Sequence, residues 1–132
     1  MRFTYPLLIK EAHLDTFGHV NNATYLMLME EARWDFITQN GYGLQKVKET
    51  DLGPVILEIK LNFLKELHLR EEIVIETQLL SYEGKIGKLQ QKILRDNKVC
   101  CSAEFIFGLF DLKARKLILP TPEWRKAIGM EE

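Results

Sequence analysis

A helical segment whose first turns are apolar on every side is the feature that most constrains how this chain folds. Between Asn22 and about Asn40, apolar residues recur at helical spacing; they are Tyr25, Leu28, Met29, Ala32, Phe36 and Ile37. Leu26 and Met27 make the opening turns apolar all round. Because a surface helix normally keeps a polar face, we expect this helix to be buried within the fold or against another subunit.

Asparagine and glycine mark the ends of this helix. Asn21 or Asn22 can cap its start, because an asparagine oxygen accepts a hydrogen bond from a first-turn amide, and Gly41 can end it. Charged residues enter only in the later turns of the helix. Glu30 and Arg33, three residues apart, are expected to form an ion pair on the helix surface.

Downstream of a loop that contains Gly53-Pro54, the apolar period changes to two, which indicates β-strands. The pattern predicts strands over 55–64, 73–80, 86–94 and 99–111, separated by turns at 83–84 and 96–98, and a leading strand over 3–9. Pro122 opens a short C-terminal helix that holds Trp124. Because the later strands are consecutive and their turns are short, we expect an antiparallel meander.

These elements predict an α+β fold with an antiparallel β-sheet wrapped around a long central helix, since the sheet must cover the helix to bury it. The hotdog fold is that arrangement. Composition and periodicity also permit a ferredoxin-like or a cystatin-like layout. A chain of 132 residues is the common size of one domain, so we expect a single domain over residues 1–132.

The balance of charges argues against nucleic acid or a membrane surface as a partner. Lysine and arginine number 18 and the acidic residues 19, which gives a formal net charge of −1 with no charged blocks. Apolar runs are too short for a signal peptide or a bilayer span, so we expect a cytoplasmic protein. Adjacent Cys100 and Cys101 would point to opposite faces of a strand, which favours two free thiols. We expect no cofactor and no metal site.

The segment before the helix, DTFGHVNN over residues 15–22, carries the chemistry. Asp15 lies three residues before Gly18, where the backbone can turn tightly. The start of a helix presents unpaired N–H groups and the positive end of the helix dipole, so it can polarise a carbonyl oxygen. A carboxylate at that helix start can act as a general base on water, or as a nucleophile that attacks the polarised carbonyl. The alternative is that Asp15 has only a structural role, as a loop aspartate that stabilises a turn.

That segment, with Tyr25-Leu26 and the stretch 31–33 (EAR), closely resembles the signature of the 4-hydroxybenzoyl-CoA thioesterase-like branch of the hotdog superfamily. The resemblance extends to 62–65, 71–72 and 103–105. It implies an acyl-CoA thioesterase with Asp15 as the catalytic carboxylate and the Asn22 backbone amide as the group that polarises the thioester carbonyl. It also implies an acyl-CoA or acyl-carrier-protein substrate and a homodimer or homotetramer. Glu66 and Arg70 depart from the proline and glycine that many relatives carry.

Other residues are weaker candidates for the site. His19 is either a catalytic base or donor to Asp15, or a residue that orients the loop. Tyr25 is the favoured acyl-pocket residue, and Met27, Met29 and Trp34 are pocket or core residues. Glu58 is a proposed contact to the substrate. Candidates for the coenzyme A phosphates are Lys60, Lys65, Lys85 and Lys88, and the last two are favoured because they lie beside Gly84 and Gly87. The rival functions are a non-catalytic acyl-thioester-binding protein and a hotdog hydratase or dehydratase.

Overall fold

The structure, a computed structural model, describes residues 2–130 and contains six strands and three α-helices within them. The elements are β1 (Arg2–Leu8), a 3-10 turn (Glu11–His13), α1 (Asn22–Gln39), α2 (Leu44–Thr50), β2 (Leu52–Phe63), β3 (Glu72–Glu83), β4 (Ile86–Arg95), β5 (Lys98–Asp111), β6 (Lys116–Ile118) and α3 (Pro122–Ala127). The long helix, the five longer strands and the C-terminal helix are all at their predicted places.

The strands form one antiparallel sheet in the order β1-β3-β4-β5-β2, and β6 pairs with β5. The predicted meander is correct for β3, β4 and β5. It is wrong for β2, which pairs with β5 and not with β3. The segment 64–71 therefore crosses from one edge of the sheet towards the other. Alternation along a strand reports which face is apolar and carries no information about which strand is the neighbour.

Helix α1 packs on the inner face of the sheet and supplies much of the core. Its buried residues are the six of the predicted apolar stripe, Tyr25, Leu28, Met29, Ala32, Phe36 and Ile37. They pack against inward-facing side chains that include Ile75, Ile93 and Phe105. Met27 is 69% exposed, so the fold of one chain does not bury every side of the helix start, and its burial against another subunit stays a prediction. Within residues 2–130, no helix is long and apolar enough to cross a membrane.

The ends of α1 match their sequence signals. Asn21 is the N-cap, and its side-chain oxygen accepts a hydrogen bond from the Ala23 N–H at 2.9 Å. At the other end, Gly41 has φ +91°, and the Tyr42 N–H donates to the Ile37 carbonyl at 2.7 Å. This pair of features is a Schellman motif, in which a left-handed glycine lets the chain fold back over the last turn.

Two short elements were not expected from the sequence, α2 and β6. Helix α2 has seven residues, none of them buried, and it begins at Gly43 without a side-chain cap. Isolated helices of this length are marginal in water, so the surrounding fold must hold it. Strand β2 begins at Leu52 and therefore includes Pro54. A proline is tolerated there because β2 is an edge strand, where a missing N–H costs no hydrogen bond within the sheet.

A polar cluster in the core contradicts the expected surface pair of Glu30 and Arg33. Arg33 turns inward, and its Nη1 donates to the Gln91 side-chain oxygen at 2.9 Å, while its guanidinium lies 4.4 Å from the centre of the Phe105 ring. Gln91 is fully buried, and its amide nitrogen donates to the Met29 carbonyl at 3.0 Å. The sheet thereby holds α1 by polar contacts as well as by apolar packing.

Both cysteines of β5 are buried and free, as predicted. Burial raises the pKa of the Cys101 thiol to about 11. A thiol with so high a pKa is a poor nucleophile at neutral pH, so the catalytic chemistry of the chain does not rest on Cys101.

Candidate active site

The segment between β1 and α1 folds into a closed loop. An isolated antiparallel bridge joins Leu14 to Val20, and inside it the Asp15 N–H donates to the His19 carbonyl at 3.0 Å. The Gly18 N–H donates to the Asp15 carbonyl at 3.2 Å. Gly18 has φ +84°, a conformation that side-chain-bearing residues rarely adopt. The glycine therefore allows the turn that brings Asp15 and His19 side by side.

The two oxygens of the Asp15 carboxylate have different surroundings. Oδ1 accepts a hydrogen bond from the Phe17 N–H at 2.8 Å, which is the turn-stabilising role of a loop aspartate. Oδ2 lies 3.8 Å from Nδ1 of His19. The Asp15 side chain is 17% exposed, so it is partly shielded from water. Turn formation occupies one oxygen and leaves the other directed towards His19.

Among the described residues, Nδ1 is the ring nitrogen of His19 that has acceptors beside it. Nδ1 lies 3.4 Å from the Val20 carbonyl oxygen as well as 3.8 Å from Asp15 Oδ2. Since both neighbours are acceptors, the neutral ring is best served by a proton on Nδ1. Nε2 then carries the lone pair. The ring also stacks on Phe17, with the ring centres 6.1 Å apart.

A cavity of about 280 Å³ opens beside this loop at the start of α1. We call it the Asn22 cavity; its walls include His19, Asn22, Tyr25, Phe63, Lys65 and Glu66. Asp15 is not part of the wall and lies beside it, next to His19. Of the residues predicted for the site, His19, Asn22 and Tyr25 thus line one cavity, and Asp15 lies next to His19.

The first turn of α1, beside this cavity, has one amide for which the described residues supply no acceptor. The Ala23 N–H is shared by the side-chain oxygens of Asn21 and Asn22, both at 2.9 Å, and the Thr24 N–H donates to the Asn21 carbonyl. Within residues 2–130, no oxygen accepts a hydrogen bond from the Asn22 N–H. That amide lies at the positive end of an 18-residue helix, where an oxygen that gains negative charge is stabilised.

Tyr25 forms the apolar wall of the Asn22 cavity. Its side chain is 5% exposed, and its ring meets the Phe63 ring edge to face at 5.1 Å. Burial raises the pKa of the Tyr25 hydroxyl, so the phenol stays neutral. Of the other predicted pocket residues, Met27 is exposed and Met29 belongs to the core.

The residues from the end of β2 to Glu66 form another part of the cavity wall, in which the sequence had singled out Lys65 and Glu66 but not Phe63. Segment 64–71 is held in place because the Leu64 N–H donates to the Cys100 carbonyl, the Val20 N–H donates to the Leu67 carbonyl, and Arg95 Nη1 donates to the Glu66 carbonyl. The family-like stretch 62–65 was a usable signal. What it did not reveal is that a crossing connection returns to the helix start.

Glu58, Lys85 and Lys88 do not meet the Asn22 cavity within one chain. Glu58 and Lys88 are both paired with Ile106 of β5, on the outer face of the sheet, and Lys88 forms an ion pair with Glu104 at 3.4 Å. Lys85 lies in the β3–β4 turn, at the end of the sheet opposite Phe63. Strand register therefore separates these three residues from the start of α1.

A second cavity, of about 270 Å³, lies between the later turns of α1, the start of β2 and α3. Trp34, a predicted pocket residue, is part of its wall, together with Glu30 and Arg33. We call it the Arg33 cavity. It lies along α1 at a distance from the Asn22 cavity, and the two have no wall residue in common.

Comparison with known sequences identifies similar proteins. A sequence model described as the thioesterase-like superfamily matches residues 10–128. The long-chain acyl-CoA thioesterase FadM of Escherichia coli (strain K12) is 33% identical over 122 residues, which are 91% of this chain and 92% of that protein.

Solved structures share the fold. YbaW, a probable thioesterase from Escherichia coli, superposes with a TM-score of 0.83 at 31% identity and covers 97% of both chains. A hypothetical protein from Staphylococcus aureus in complex with CoA gives a TM-score of 0.89 at 16% identity over 97% of this chain and 82% of that one. The predicted hotdog arrangement is thereby confirmed.

Proposed function

Because this chain belongs to the thioesterase-like superfamily and is a thioester hydrolase, we propose that it hydrolyses long-chain acyl-CoA to the free acid and coenzyme A at the Asn22 cavity. The observation that carries this proposal is the unpaired amide at the start of α1 beside a cavity bounded by the Asp15–His19 loop. The long-chain substrate follows from the name of the Escherichia coli relative, and coenzyme A also from the CoA complex of the Staphylococcus aureus neighbour.

In this proposal the Asn22 amide supplies the electrophilic half of the site. The thioester carbonyl oxygen accepts a hydrogen bond from the Asn22 N–H, and the helix dipole stabilises the negative charge that develops on that oxygen. The two side-chain oxygens on the Ala23 N–H fix the geometry of the first turn. No group has to move when the charge appears, which is what makes such a donor effective.

Asp15 supplies the other half, by one of two routes that both need its ionised carboxylate. As a general base, Oδ2 takes a proton from water while the water oxygen bonds to the carbonyl carbon. As a nucleophile, Oδ2 itself bonds to that carbon, and water later cleaves the mixed anhydride. In both routes the carbon–sulfur bond breaks, its electron pair leaves with the coenzyme A sulfur, and a proton restores the thiol. The hydrogen bond from Phe17 holds Oδ1 during this step.

We propose that His19 acts on Asp15 rather than on the substrate. Its Nδ1 proton is directed to Asp15 Oδ2 and the Val20 carbonyl, so it stabilises the ionised carboxylate and limits its rotation. His19 is a positioning residue in this assignment. Its replacement should therefore lower the rate less than replacement of Asp15.

We propose that the chain forms at least a homodimer through the free edge of β2. This edge exposes apolar side chains, with Leu57 47%, Ile59 43% and Phe63 52% exposed, and Met27 of α1 is exposed as well. A long, apolar, unpaired edge is a liability in a monomer. A continuous sheet made from two β2 strands would cover it.

Such a dimer also gives Lys85 and Lys88 a role. If two β2 strands pair antiparallel, the β3–β4 turn of a second copy reaches the same end of the combined sheet as the Asn22 cavity. Three strand spacings separate β2 of one copy from β4 of the other, roughly 14 Å. The extended coenzyme A molecule can bridge such a distance, with its phosphates at the lysines. Glu58, on β2 itself, then lies near the interface.

The experiment that tests the function measures free thiol released from a panel of acyl-CoAs of increasing chain length. Asp15→Asn should lower the rate roughly 10²–10⁴-fold, the usual contribution of a positioned carboxylate, while acyl-CoA binding persists. Asp96→Asn, at an exposed turn position, is the matched control and should hydrolyse normally. A wild-type protein that binds acyl-CoA and releases no thiol above background contradicts the proposal.

A single turnover in ¹⁸O water separates the two routes for Asp15. In the nucleophile route, water that attacks the Asp15 carbon of the anhydride leaves ¹⁸O in the Asp15 carboxylate, so a label in that side chain identifies this route. The general-base route places the label only in the released acid. Mass spectrometry of the peptide that contains Asp15 reads the difference.

A further inference from the structure

The Arg33 cavity combines apolar walls with a single guanidinium that forms no salt bridge within residues 2–130. Its walls include both tryptophans of the chain, Trp34 and Trp124, and Phe107. Only Glu30 and Arg33 bring charge to it. Within residues 2–130, no carboxylate oxygen lies within 4.0 Å of the Arg33 guanidinium. A charge in such surroundings calls for a hydrogen-bond acceptor.

Most of the hydrogen-bonding capacity of Arg33 is unused. A guanidinium has five N–H donors, and one of them is donated to Gln91. No fully buried side-chain nitrogen or oxygen within residues 2–130 lacks a partner, so any guanidinium nitrogen without a partner is accessible to solvent, and Arg33 is part of the cavity wall. Burial lowers the pKa of Arg33 to about 10. The group is therefore still charged at neutral pH.

The charges of Arg33 and Glu30 together determine which chemical group would bind best in the cavity. A plain hydrocarbon that filled the cavity would strip water from the guanidinium and offer no acceptor in return, which is unfavourable. A carboxylate would satisfy Arg33 but be repelled by Glu30. A hydroxyl can accept from the Arg33 donors and donate to the Glu30 carboxylate. The pair thus favours a neutral hydroxyl on an apolar chain.

The Arg33 cavity and the Asn22 cavity border the same face of α1. Asn22, Leu26, Glu30 and Arg33 are spaced by four, four and three residues, so they share one face of α1. Eleven residues separate Asn22 from Arg33, which is roughly 16 Å along the helix. An extended chain advances roughly 1.2 Å per bond. A chain of about ten to thirteen bonds from the thioester carbonyl therefore reaches the Arg33 side chain, which leans back towards the helix start.

We propose that the Arg33 cavity binds the distal end of the acyl group, and that Arg33 and Glu30 select acyl chains that carry a hydroxyl about ten to thirteen bonds from the thioester carbonyl. This inference rests on the proposed function, because it assigns specificity to the same reaction. The residues involved are specificity determinants and take no part in bond cleavage.

The test compares two substrates that differ by one oxygen atom, dodecanoyl-CoA and 12-hydroxydodecanoyl-CoA. Wild-type protein should show a kcat/KM roughly tenfold or more higher for the hydroxylated chain, as expected for a hydrogen bond to a charged group. Arg33→Met should remove this preference. Lys126→Met, at an exposed position of α3, is the control and should keep it. Equal kcat/KM values for the two substrates in the wild type would overturn the inference.

Tryptophan fluorescence supplies a readout that does not depend on turnover. Because both tryptophans line the Arg33 cavity, 12-hydroxydodecanoyl-CoA bound to the Asp15→Asn variant should change the emission. Adding Arg33→Met should weaken this binding roughly tenfold, whereas binding of dodecanoyl-CoA should not weaken. Binding of both ligands without a change in emission would overturn the inference, since the chain end would then lie elsewhere.

The outcomes separate the inference from the proposed function. Absence of thiol release from every acyl-CoA contradicts the function. Release from dodecanoyl-CoA with no preference for the hydroxyl contradicts only the inference. A preference for an acyl chain that ends in a carboxylate also overturns it, because Glu30 would then have no influence. Glu30→Gln should reduce the hydroxyl preference and should not abolish hydrolysis.

Discussion

Replacing Gln91 with leucine should destabilise the protein strongly, because this side chain is the hub of the polar cluster under α1. Gln91 is fully buried. Its amide nitrogen donates to the Met29 carbonyl and to the Thr77 hydroxyl, each at 3.0 Å, and its oxygen accepts from Arg33 at 2.9 Å. Leucine has a similar volume and can make none of these contacts.

The magnitude follows from the three hydrogen bonds. Two neutral bonds contribute about 1 kcal/mol each, and one to a charged group contributes about 1.5–3 kcal/mol. The largest part of the loss comes from Arg33, because its charge would be left partly buried beside a hydrocarbon. Burial of the apolar leucine offsets about 1 kcal/mol. The expected loss in the free energy of unfolding is therefore about 2.5–4 kcal/mol, which lowers the Tm by about 10–15 °C for a domain of this size.

Urea unfolding followed by circular dichroism measures this loss, and Gln90→Leu is the matched control. Gln90 is the preceding residue of β4 and points to the other face of the sheet, where it is only half-buried. Its replacement should change the free energy of unfolding by less than about 1 kcal/mol. If Gln91→Leu and Gln90→Leu are equally stable, the polar cluster does not hold α1 to the sheet, and the reasoning fails.

Two further predictions concern pH and assembly. The hydrogen bond from the Tyr5 hydroxyl to Glu31, at 2.5 Å, raises the pKa of Tyr5 to about 12 from an ordinary value of 10.0. This bond contributes about 1 kcal/mol of stability, as expected for a partly exposed pair. The contribution is present below pH 10 and is lost as pH rises towards 12. Tyr5→Phe should therefore be less stable than wild type at pH 9 and equally stable near pH 12, and a difference that does not vary with pH would refute the assignment. Ile59→Lys should convert a dimer into monomers in sedimentation experiments, because a lysine on an edge strand opposes pairing. Val74→Lys, at a position 37% exposed where β3 pairs with both β1 and β4, should leave the dimer intact; a dimer that survives Ile59→Lys places the interface elsewhere.

Local signals in the sequence were enough to predict most elements and the site loop. The apolar stripe of α1, the asparagine cap and the glycine at its end depend on residues close together in the sequence. They can therefore be recognised without knowledge of the fold. The loop from Asp15 to Asn22 is also local, since its turn depends on Gly18 and its hydrogen bonds close within the segment. The family-like residues then indicated the chemistry of that loop.

The tertiary structure alone decided which distant residues meet. Strand β2 pairs with β5, which places Glu58 on the outer face and separates Lys85 and Lys88 from the Asn22 cavity. The packing of α1 against β4 and β5 turns Arg33 inward, away from the expected surface pair. Periodicity cannot reveal such choices, because strand pairing and the burial of a charge depend on free energies summed over the whole sheet. The sequence by itself determined which groups are available for catalysis, and packing decided which of them share a cavity.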